Sequence, residues 1–121
     1  MSPFHDLDEL VPQQIWTGVV GRSVHGAEAT LAAIELDPGA EVPEHAHPNE
    51  QIGVLVRGSL TFRIGPETRE LRPGSLWVIP ANVPHQVSVG PDGASLYELF
   101  SPPRTDWASL DRLEPSPATG S

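Results

Sequence analysis

The chain has 121 residues, with sixteen acidic side chains against seven arginines and no lysine, and therefore a formal net charge of −9. This charge argues against nucleic acid as a partner, because its phosphates would be repelled. The sequence contains no cysteine, which excludes disulfides and thiolate metal ligands. The length fits one compact domain, predicted over residues 1–113, followed by a disordered tail at residues 114–121. No apolar run is long enough for a signal peptide or a membrane span, so we expect a cytoplasmic protein without a membrane partner.

The distribution of turn-forming residues predicts many turns and few helices, because fourteen prolines and eleven glycines lie between short β-rich runs. In chain order, the predicted strands are 15–24, 29–36, 51–56, 59–64, 76–79, 85–89 and 94–100. Turn signals at 37–39, 65–66, 73–74 and 90–93 separate them. A short helix is predicted at 106–112. Short strands at nearly regular spacing indicate an all-β sandwich or barrel.

Three of the five histidines lie in two short segments, 39–51 and 80–85, separated by residues that are predicted to form strands. Side chains of a strand alternate between its faces, so His45 and His47 are expected to point the same way. His85 can close on them from a later strand. The pattern indicates a site for a divalent metal ion, and the alternative is that these histidines are ordinary polar residues.

The spacing around these histidines resembles the motifs of the cupin superfamily. The first motif is a glycine, five residues, His-x-His, three or four residues, a glutamate, six residues and a glycine. It is matched from Gly39 to Gly58, with Gln51 where glutamate is usual. The second motif is matched at Gly74, Pro80 and His85. The resemblance covers about residues 29–107 and implies a small antiparallel jelly-roll barrel with a short C-terminal helix or turn.

The resemblance also implies a set of metal ligands, which would be His45, His47, Gln51 and His85. An amide at position 51 offers a neutral oxygen, whereas glutamate would add a negative charge to the ligand set. The ion would keep nearly its full charge and be a stronger Lewis acid toward an anionic or enolate oxygen. Glu50 is the alternative fourth ligand, although a regular strand would turn it away from Gln51. The ion itself is left open among Zn, Ni, Fe, Mn and Cu.

The last predicted strand and the segment after it supply the other candidate residues of a cavity. If His85 points inward, the strand at 94–100 can place either of two sets in the cavity: Leu96, Glu98 and Phe100, or Tyr97 and Leu99. Periodicity alone leaves both open. Two prolines in 100–107 make a stiff turn that can bring Arg104 over the barrel mouth, where it could bind a substrate carboxylate bidentately. The alternative is an exposed arginine.

The segment from Glu98 to Arg104 resembles bacterial pectin-degradation cupins, which linearise 4,5-unsaturated monouronates. These proteins carry an acidic residue followed two positions on by Phe-Ser-Pro-Pro-Arg, and Glu98 stands where they tend to have aspartate. The resemblance implies a metal-dependent ring opening and tautomerisation of an acidic, uronate-like substrate. Arg104 would fix the substrate carboxylate, Glu98 would move the proton, and Phe100 would pack against the ring.

Other functions remain open alongside this one. They are a metal-dependent dioxygenase, an isomerase or cyclase of secondary metabolism, and a non-catalytic ligand-binding cupin. Trp16 and Trp77 are expected in the core or an interface rather than beside a cofactor. Cupins commonly pair, so the resemblance implies a homodimer to which residues 15–20 would contribute.

Overall fold

The computed structural model describes residues 2–114, and this part of the chain forms nine strands and two short 3₁₀ helices. The strands are β1 (Gln13–Trp16), β2 (Val19–His25), β3 (Thr30–Leu36), β4 (Glu41–His45), β5 (Glu50–Ile64), β6 (Glu67–Leu71), β7 (Leu76–Ile79), β8 (His85–Ser101) and β9 (Asp111–Arg112). The 3₁₀ helices are Leu7–Glu9 and Thr105–Ser109. Of the tail predicted at 114–121, residues 115–121 lie outside the described residues.

All strand pairs are antiparallel, and they form one sheet in the order β6-β5-β8-β3-β2-β1-β9, with β4 paired to β8 and β7 paired to β5. Strands β5 and β8 have 15 and 17 residues and pair along most of their length. The first half of β5 also pairs with β7, and its second half pairs with β6. The sheet therefore folds over itself into a small barrel, as the sequence predicts.

The two long strands replace four shorter predicted ones, because irregular register lets each of them bend without ending. The pairing of β5 with β8 shifts between Leu55 and Arg57 and again between Gly58 and Leu60. Gly58 has φ +84°, and a Cβ there would lie 1.9 Å from the carbonyl oxygen of Gly93. Only glycine fits such a bulge. The turn predicted at 90–93 is wrong, since these residues continue β8.

Several other predicted boundaries also differ from the structure. The predicted strand 15–24 is divided into β1 and β2 by a turn at Gly18, whose φ is +76°. Strands β4, β6 and β9 were not predicted. The predicted helix 106–112 is a shorter 3₁₀ helix, and its last two residues instead form β9, which pairs with β1.

The inner face of the sheet forms the core and, with it, the walls of a cavity. In β3 the side chains alternate, so that Ala32, Ile34 and Leu36 are buried whereas Leu31 is exposed. Ile15, Trp16 and Val19 also pack on the core, which places the apolar side of residues 15–20 inside the barrel. In residues 2–114 the structure contains no helix of the length and apolarity that a membrane crossing needs.

Candidate metal centre

The three motif histidines meet on the inner face of the sheet. His45 ends β4 and His85 begins β8, and the antiparallel pairing of these strands makes the two residues register partners. Their ring centroids are 4.3 Å apart. His47 reaches the cluster from the loop after β4, with its ring centroid 5.0 Å from that of His85. One nitrogen from each ring can be chosen so that all three lie within 4.8 Å of one another.

Hydrogen bonds to backbone carbonyls fix how each imidazole faces the cavity. Nδ1 of every one of the three rings lies within hydrogen-bond distance of a carbonyl oxygen, and a carbonyl can only accept. The acceptors of His45, His47 and His85 are Pro43 at 2.8 Å, Asn49 at 3.0 Å and Val83 at 2.9 Å. Each Nδ1 therefore donates its proton, and the lone pair remains on Nε2. Metal-ligating histidines are held in this way.

Two properties of His85 fit a bound cation. Its Nε2 is a buried atom that has no hydrogen-bond partner in the described part of the chain. An unpartnered buried nitrogen is costly unless something else satisfies it. Burial also lowers the pKa of His85 to about 4, so that the ring is neutral, which is the form that binds metal. Three histidines in this arrangement could bind a metal ion.

His47 gives a second indication of a cation. Its Nε2 lies 2.9 Å from Oε1 of Gln51, while its Nδ1 faces the carbonyl of Asn49. Both contacts are with acceptors, yet a neutral imidazole has a single N–H. Burial and the positive charge of Arg104 lower the pKa of His47, which disfavours the doubly protonated ring. A cation shared by Nε2 and Oε1 would resolve the contact, so the residues present fit the implied metal.

Gln51 lies beside the cluster in the position that the motif implies, and its role as a ligand stays a prediction. Its side chain is buried in β5, with Oε1 toward His47. Its amide N–H donates to the carboxylate of Glu98. The neighbouring Glu50 is exposed. Gln51 thus connects the imidazoles to Glu98.

Glu98 is an inward-facing carboxylate, 7% exposed, in the first of the two sets that the sequence left open. Its Oε2 accepts a hydrogen bond from Nε1 of Trp77 at 3.0 Å and one from Gln51. Burial raises the pKa of Glu98, although these two hydrogen bonds oppose that shift. Trp77 is buried in the core, as the sequence predicts, but its hydrogen bond to Glu98 was not predicted.

Gly53 explains how the indole of Trp77 reaches Glu98. It lies between them in one cross-strand row, paired with Trp77 on β7 and with Glu98 on β8. A Cβ at position 53 would lie 2.4 Å from the indole ring. The missing side chain is therefore the space that the indole occupies. A glycine inside a β-strand pattern is the sequence signal that could have revealed this close approach.

Arg104 also lines the cavity, where aromatic rings and a carboxylate fix its position. Its guanidinium carbon lies 4.9 Å from the ring centroid of Phe100 and 4.7 Å from that of Trp107. Nε and Nη2 donate to the two carboxylate oxygens of Asp106 at 3.1 and 3.0 Å. Asp106 thus occupies the edge of the guanidinium formed by Nε and Nη2. The sequence analysis did not predict this role of Asp106. A substrate carboxylate would have to approach Nη1 and the remaining N–H of Nη2.

The cavity has a volume of about 380 Å³. Its polar lining consists of the three histidines together with Gln51, Glu98, Arg104 and Asp106. The rest of the wall is apolar and includes Ile15, Trp16, Ile34, Val42 and Leu110. A ligand would meet charged and metal-binding groups together with a wide apolar surface.

Comparison with protein families assigns the chain to one of them. The cupin domain family matches residues 32–100, which is more than half of the sequence. The chain belongs to the cupin family. Its predicted membership and its predicted all-β barrel are both confirmed.

Two proteins with different functions in their names are similar to this chain in sequence. The chain is 30% identical over 95 residues to auxin-binding protein ABP19a from Prunus persica, covering 73% of this chain and 46% of the relative. It is 35% identical over 92 residues to H2HPP isomerase from Bacillus subtilis, covering 70% of this chain and 39% of the relative. The chain therefore spans less than half the length of these relatives.

Solved structures of similar size match nearly the whole chain. An RmlC-like cupin from Shewanella frigidimarina NCIMB 400 has a TM-score of 0.81 and 26% identity, covering 88% of this chain and 96% of the other. KdgF from Halomonas sp. has a TM-score of 0.79 and 27% identity, covering 88% and 98%. A longer protein, oxalate decarboxylase from Bacillus subtilis, matches with a TM-score of 0.76 and 20% identity. The match covers 90% of this chain and 32% of the decarboxylase, and it shows a shared fold.

Proposed function

We propose that this cupin is a metal-dependent enzyme that moves a proton on a small carboxylic acid. One observation carries the proposal: the buried carboxylate of Glu98 is hydrogen-bonded to Gln51, which touches the three-histidine cluster. The Arg104 guanidinium lies in the same cavity, where it would bind the acid group of a substrate. The cavity would thus combine a proton carrier, a metal site and a cation for an anionic substrate.

A uronate-like acid is the first candidate substrate, and the proposed reaction is ring opening followed by tautomerisation. The resemblance of residues 98–104 to pectin-degradation cupins and the similarity to the KdgF structure support this choice. In the reaction, the hemiacetal hydroxyl loses a proton and the bond from its carbon to the ring oxygen breaks, which leaves an aldehyde. The electron pair remains on the former ring oxygen as an enolate. Return of a proton to carbon gives the ketone, with no net oxidation.

Each residue of the chain has a proposed task in this reaction. Arg104 would hold the substrate carboxylate through the edge that Asp106 leaves open. Glu98 would accept the hydroxyl proton and return a proton to carbon. Phe100, 2% exposed and packed against His47, would cover the ring and exclude water.

His45, His47, His85 and Gln51 would hold the metal. When bound, a divalent ion at these residues would supply Lewis-acid stabilisation of the negative charge that develops on oxygen. Because the four ligands are all neutral, none of them reduces the charge of the ion.

A second candidate is isomerisation of an acid that carries an apolar body. The apolar wall formed by Ile15, Trp16, Ile34, Val42 and Leu110 favours it, because the hydroxyl groups of a sugar would find few partners there. The relative named H2HPP isomerase supports the same reaction class. Glu98 would again transfer the proton.

Assays on protein loaded separately with Mn, Fe, Ni, Zn or Cu would test both candidates. One substrate is a 4,5-unsaturated monouronate, followed through the ultraviolet absorbance of its conjugated acid. The other is a set of unsaturated 2-oxo acids with aromatic bodies, followed by NMR in deuterated water for deuterium incorporation. Oxygen consumption in the same samples would detect a dioxygenase instead.

Two carboxylate variants make the assay specific. Glu98→Gln keeps the shape of the side chain but removes the proton carrier, so turnover should fall at least about 100-fold, within the range of general acid–base catalysis. Glu50→Gln changes an exposed carboxylate, next to Gln51 in the sequence, and this variant should be as active as the wild type. Equal activity of wild type and Glu98→Gln on every substrate would contradict the proposal. Inactivity of the metal-loaded wild type throughout would favour a ligand-binding cupin.

A further inference from the structure

Asn49 is a buried polar residue that the proposed reaction does not use. It is 6% exposed and lies in the short loop between β4 and β5. Its backbone carbonyl accepts the hydrogen bond from Nδ1 of His47 at 3.0 Å. Its side-chain amide N–H donates to the carbonyl of Pro102, in the segment that leads to Arg104. Asn49 therefore contacts a candidate metal ligand and also the segment that carries the candidate acid-binding residue.

The side chain of Asn49 extends the contact of β5 with β8 beyond the point where their backbone pairing ends. The last paired residues are Glu50 and Ser101. The next residue after β8 is Pro102, which has no N–H to donate. The amide of Asn49 is buried and needs an acceptor, which the Pro102 carbonyl supplies. A side-chain hydrogen bond thus joins the two segments where the backbone ladder stops.

Proline residues make the connections on both sides of this hydrogen bond stiff. Pro48 lies between His47 and Asn49, and two prolines directly precede Arg104. Each proline ring fixes its own φ at about −65°, so these short connections have few ways to absorb a displacement. A shift at either end of the hydrogen bond should therefore move His47 or Arg104.

We propose that Asn49 is a positioning residue that holds His47 and Arg104 in fixed positions relative to each other. The imidazole would stay oriented toward a metal ion, and the guanidinium would stay where an acid can bind. The inference rests on the proposed function only for the task of Arg104, because the positions of both side chains can be measured without a substrate.

Both side chains have other contacts, which limit how far they can move. The backbone N–H of Arg104 donates to the hydroxyl of the buried Thr30 at 2.9 Å. The ring of Phe100 contacts both the imidazole of His47 and the guanidinium of Arg104. Loss of the Asn49 amide should therefore loosen the two residues without releasing them from the cavity.

Asn49→Leu tests the link, because leucine keeps the branched shape of the side chain and removes its N–H. The protein would be loaded with zinc, a diamagnetic ion that permits NMR, and then mixed with a colorimetric chelator. The rate of zinc release reports how His47 is held. The variant should release zinc about 10-fold faster than the wild type, because residues that orient metal ligands affect metal affinity to this extent.

A second measurement reports the position of Arg104. Its Nε–H donates to Asp106 at 3.1 Å and should give an NMR signal, which can be assigned from its loss in Arg104→Lys. In the zinc-loaded Asn49→Leu variant this signal should shift and exchange faster with water. Neither measurement needs turnover.

Two control variants separate this link from a general loosening of the segment. Ser101→Ala removes a hydroxyl that donates to the carbonyl of Glu28 at 2.8 Å, in the loop between β2 and β3. This variant should match the wild type in both measurements. Thr30→Val removes the hydroxyl that accepts from the Arg104 N–H, so it should shift the Arg104 signal and leave zinc release unchanged.

Far-UV circular dichroism and urea unfolding would show that the variants are folded, and Asn49→Ala takes the place of Asn49→Leu if leucine does not fit. A folded Asn49 variant that matches the wild type in either measurement would overturn the inference, because a residue that only stabilises the fold would lower the free energy of unfolding alone. Equally fast zinc release from Thr30→Val, or a wild type that takes up no zinc, would also overturn it. Both predicted changes in a protein that turns over no acid would support the inference and contradict the proposed function.

Discussion

Trp77 donates its indole N–H to Oε2 of Glu98 over 3.0 Å, across the intervening strand β5, where only a glycine at residue 53 leaves room for the indole. The same oxygen accepts a hydrogen bond from Gln51, whose own oxygen faces His47. A chain of direct contacts therefore runs from an indole through a buried carboxylate and an amide to the histidine cluster. The predictions below test the parts of this chain and its neighbours.

Replacing Trp77 with Phe should lower kcat by about 10- to 100-fold with little change in KM. The ring remains, but the carboxylate loses a hydrogen bond of the charged kind, worth about 1.5–3 kcal/mol. Steady-state kinetics on whichever substrate the assays described above identify would measure this. Trp16→Phe is the control, because Trp16 also lines the cavity but its indole contacts His45 rather than Glu98. Equal kinetics for the two variants would contradict a positioning role for Trp77.

Gly53→Ala should destabilise the protein by about 1–3 kcal/mol, the usual cost of overpacking a core. The new Cβ would lie 2.4 Å from the indole of Trp77 and force it away from Glu98. Urea unfolding followed by tryptophan fluorescence would give the change in the free energy of unfolding. Gly26→Ala adds a Cβ whose nearest neighbour is 3.5 Å away and should be close to neutral. If both substitutions cost the same, the close packing at position 53 has no energetic significance.

Gln51→Glu should strengthen metal binding and slow the reaction. The new carboxylate adds a negative charge to a set of neutral ligands. The substitution also removes the amide N–H that donates a hydrogen bond to Glu98. We expect a chelator to remove the metal at least about 10-fold more slowly and kcat to fall, because the ion becomes a weaker Lewis acid. Glu50→Gln again serves as the control. Unchanged chelator kinetics would show that residue 51 is not a ligand.

Arg104→Lys should raise KM for the acid by about 10-fold or more while kcat changes less. Lysine keeps the positive charge but loses the planar guanidinium, which contacts the rings of Phe100 and Trp107 and would bind the substrate carboxylate. Arg63→Lys, which affects an arginine outside the cavity that pairs with Glu44, should leave both constants unchanged. A fall in kcat at constant KM would argue that Arg104 acts in the chemistry rather than in binding.

Local patterns were enough to predict most of the inner strands and the histidine cluster. His45, His47 and His85 could be predicted from their spacing, although His47 lies in the loop after β4 rather than on a strand with His45, as strand alternation had suggested. Strand β7 was also predicted with its observed ends, since four apolar residues lie between turn signals. Each of these predictions depends on a short local pattern of residues.

The features that were missed depend on contacts between distant segments. Strand β6, with the sequence Glu-Thr-Arg-Glu-Leu, is polar and exposed, so its strand character comes from pairing with β5 rather than from hydrophobic alternation. The bulge at Gly58 exists because Gly93 lies opposite, which no local pattern records. Trp77 lies in the core, as predicted, but its hydrogen bond to Glu98 was missed for the same reason. Its partner Glu98 lies 21 residues away in the chain.

The most direct test of the metal centre is the metal content of the purified protein, measured by mass spectrometry after equilibration with Mn, Fe, Ni, Zn or Cu and removal of excess ion. The wild type should retain about one divalent ion per chain, as a site of this ligand number would. The control His5→Ala, which changes an exposed histidine outside the cluster, should retain the same amount. A folded His45→Ala, His85→Ala double variant should lose it. A wild type that stays empty with every metal, or a double variant that retains as much as the wild type, would contradict a metal centre at these histidines.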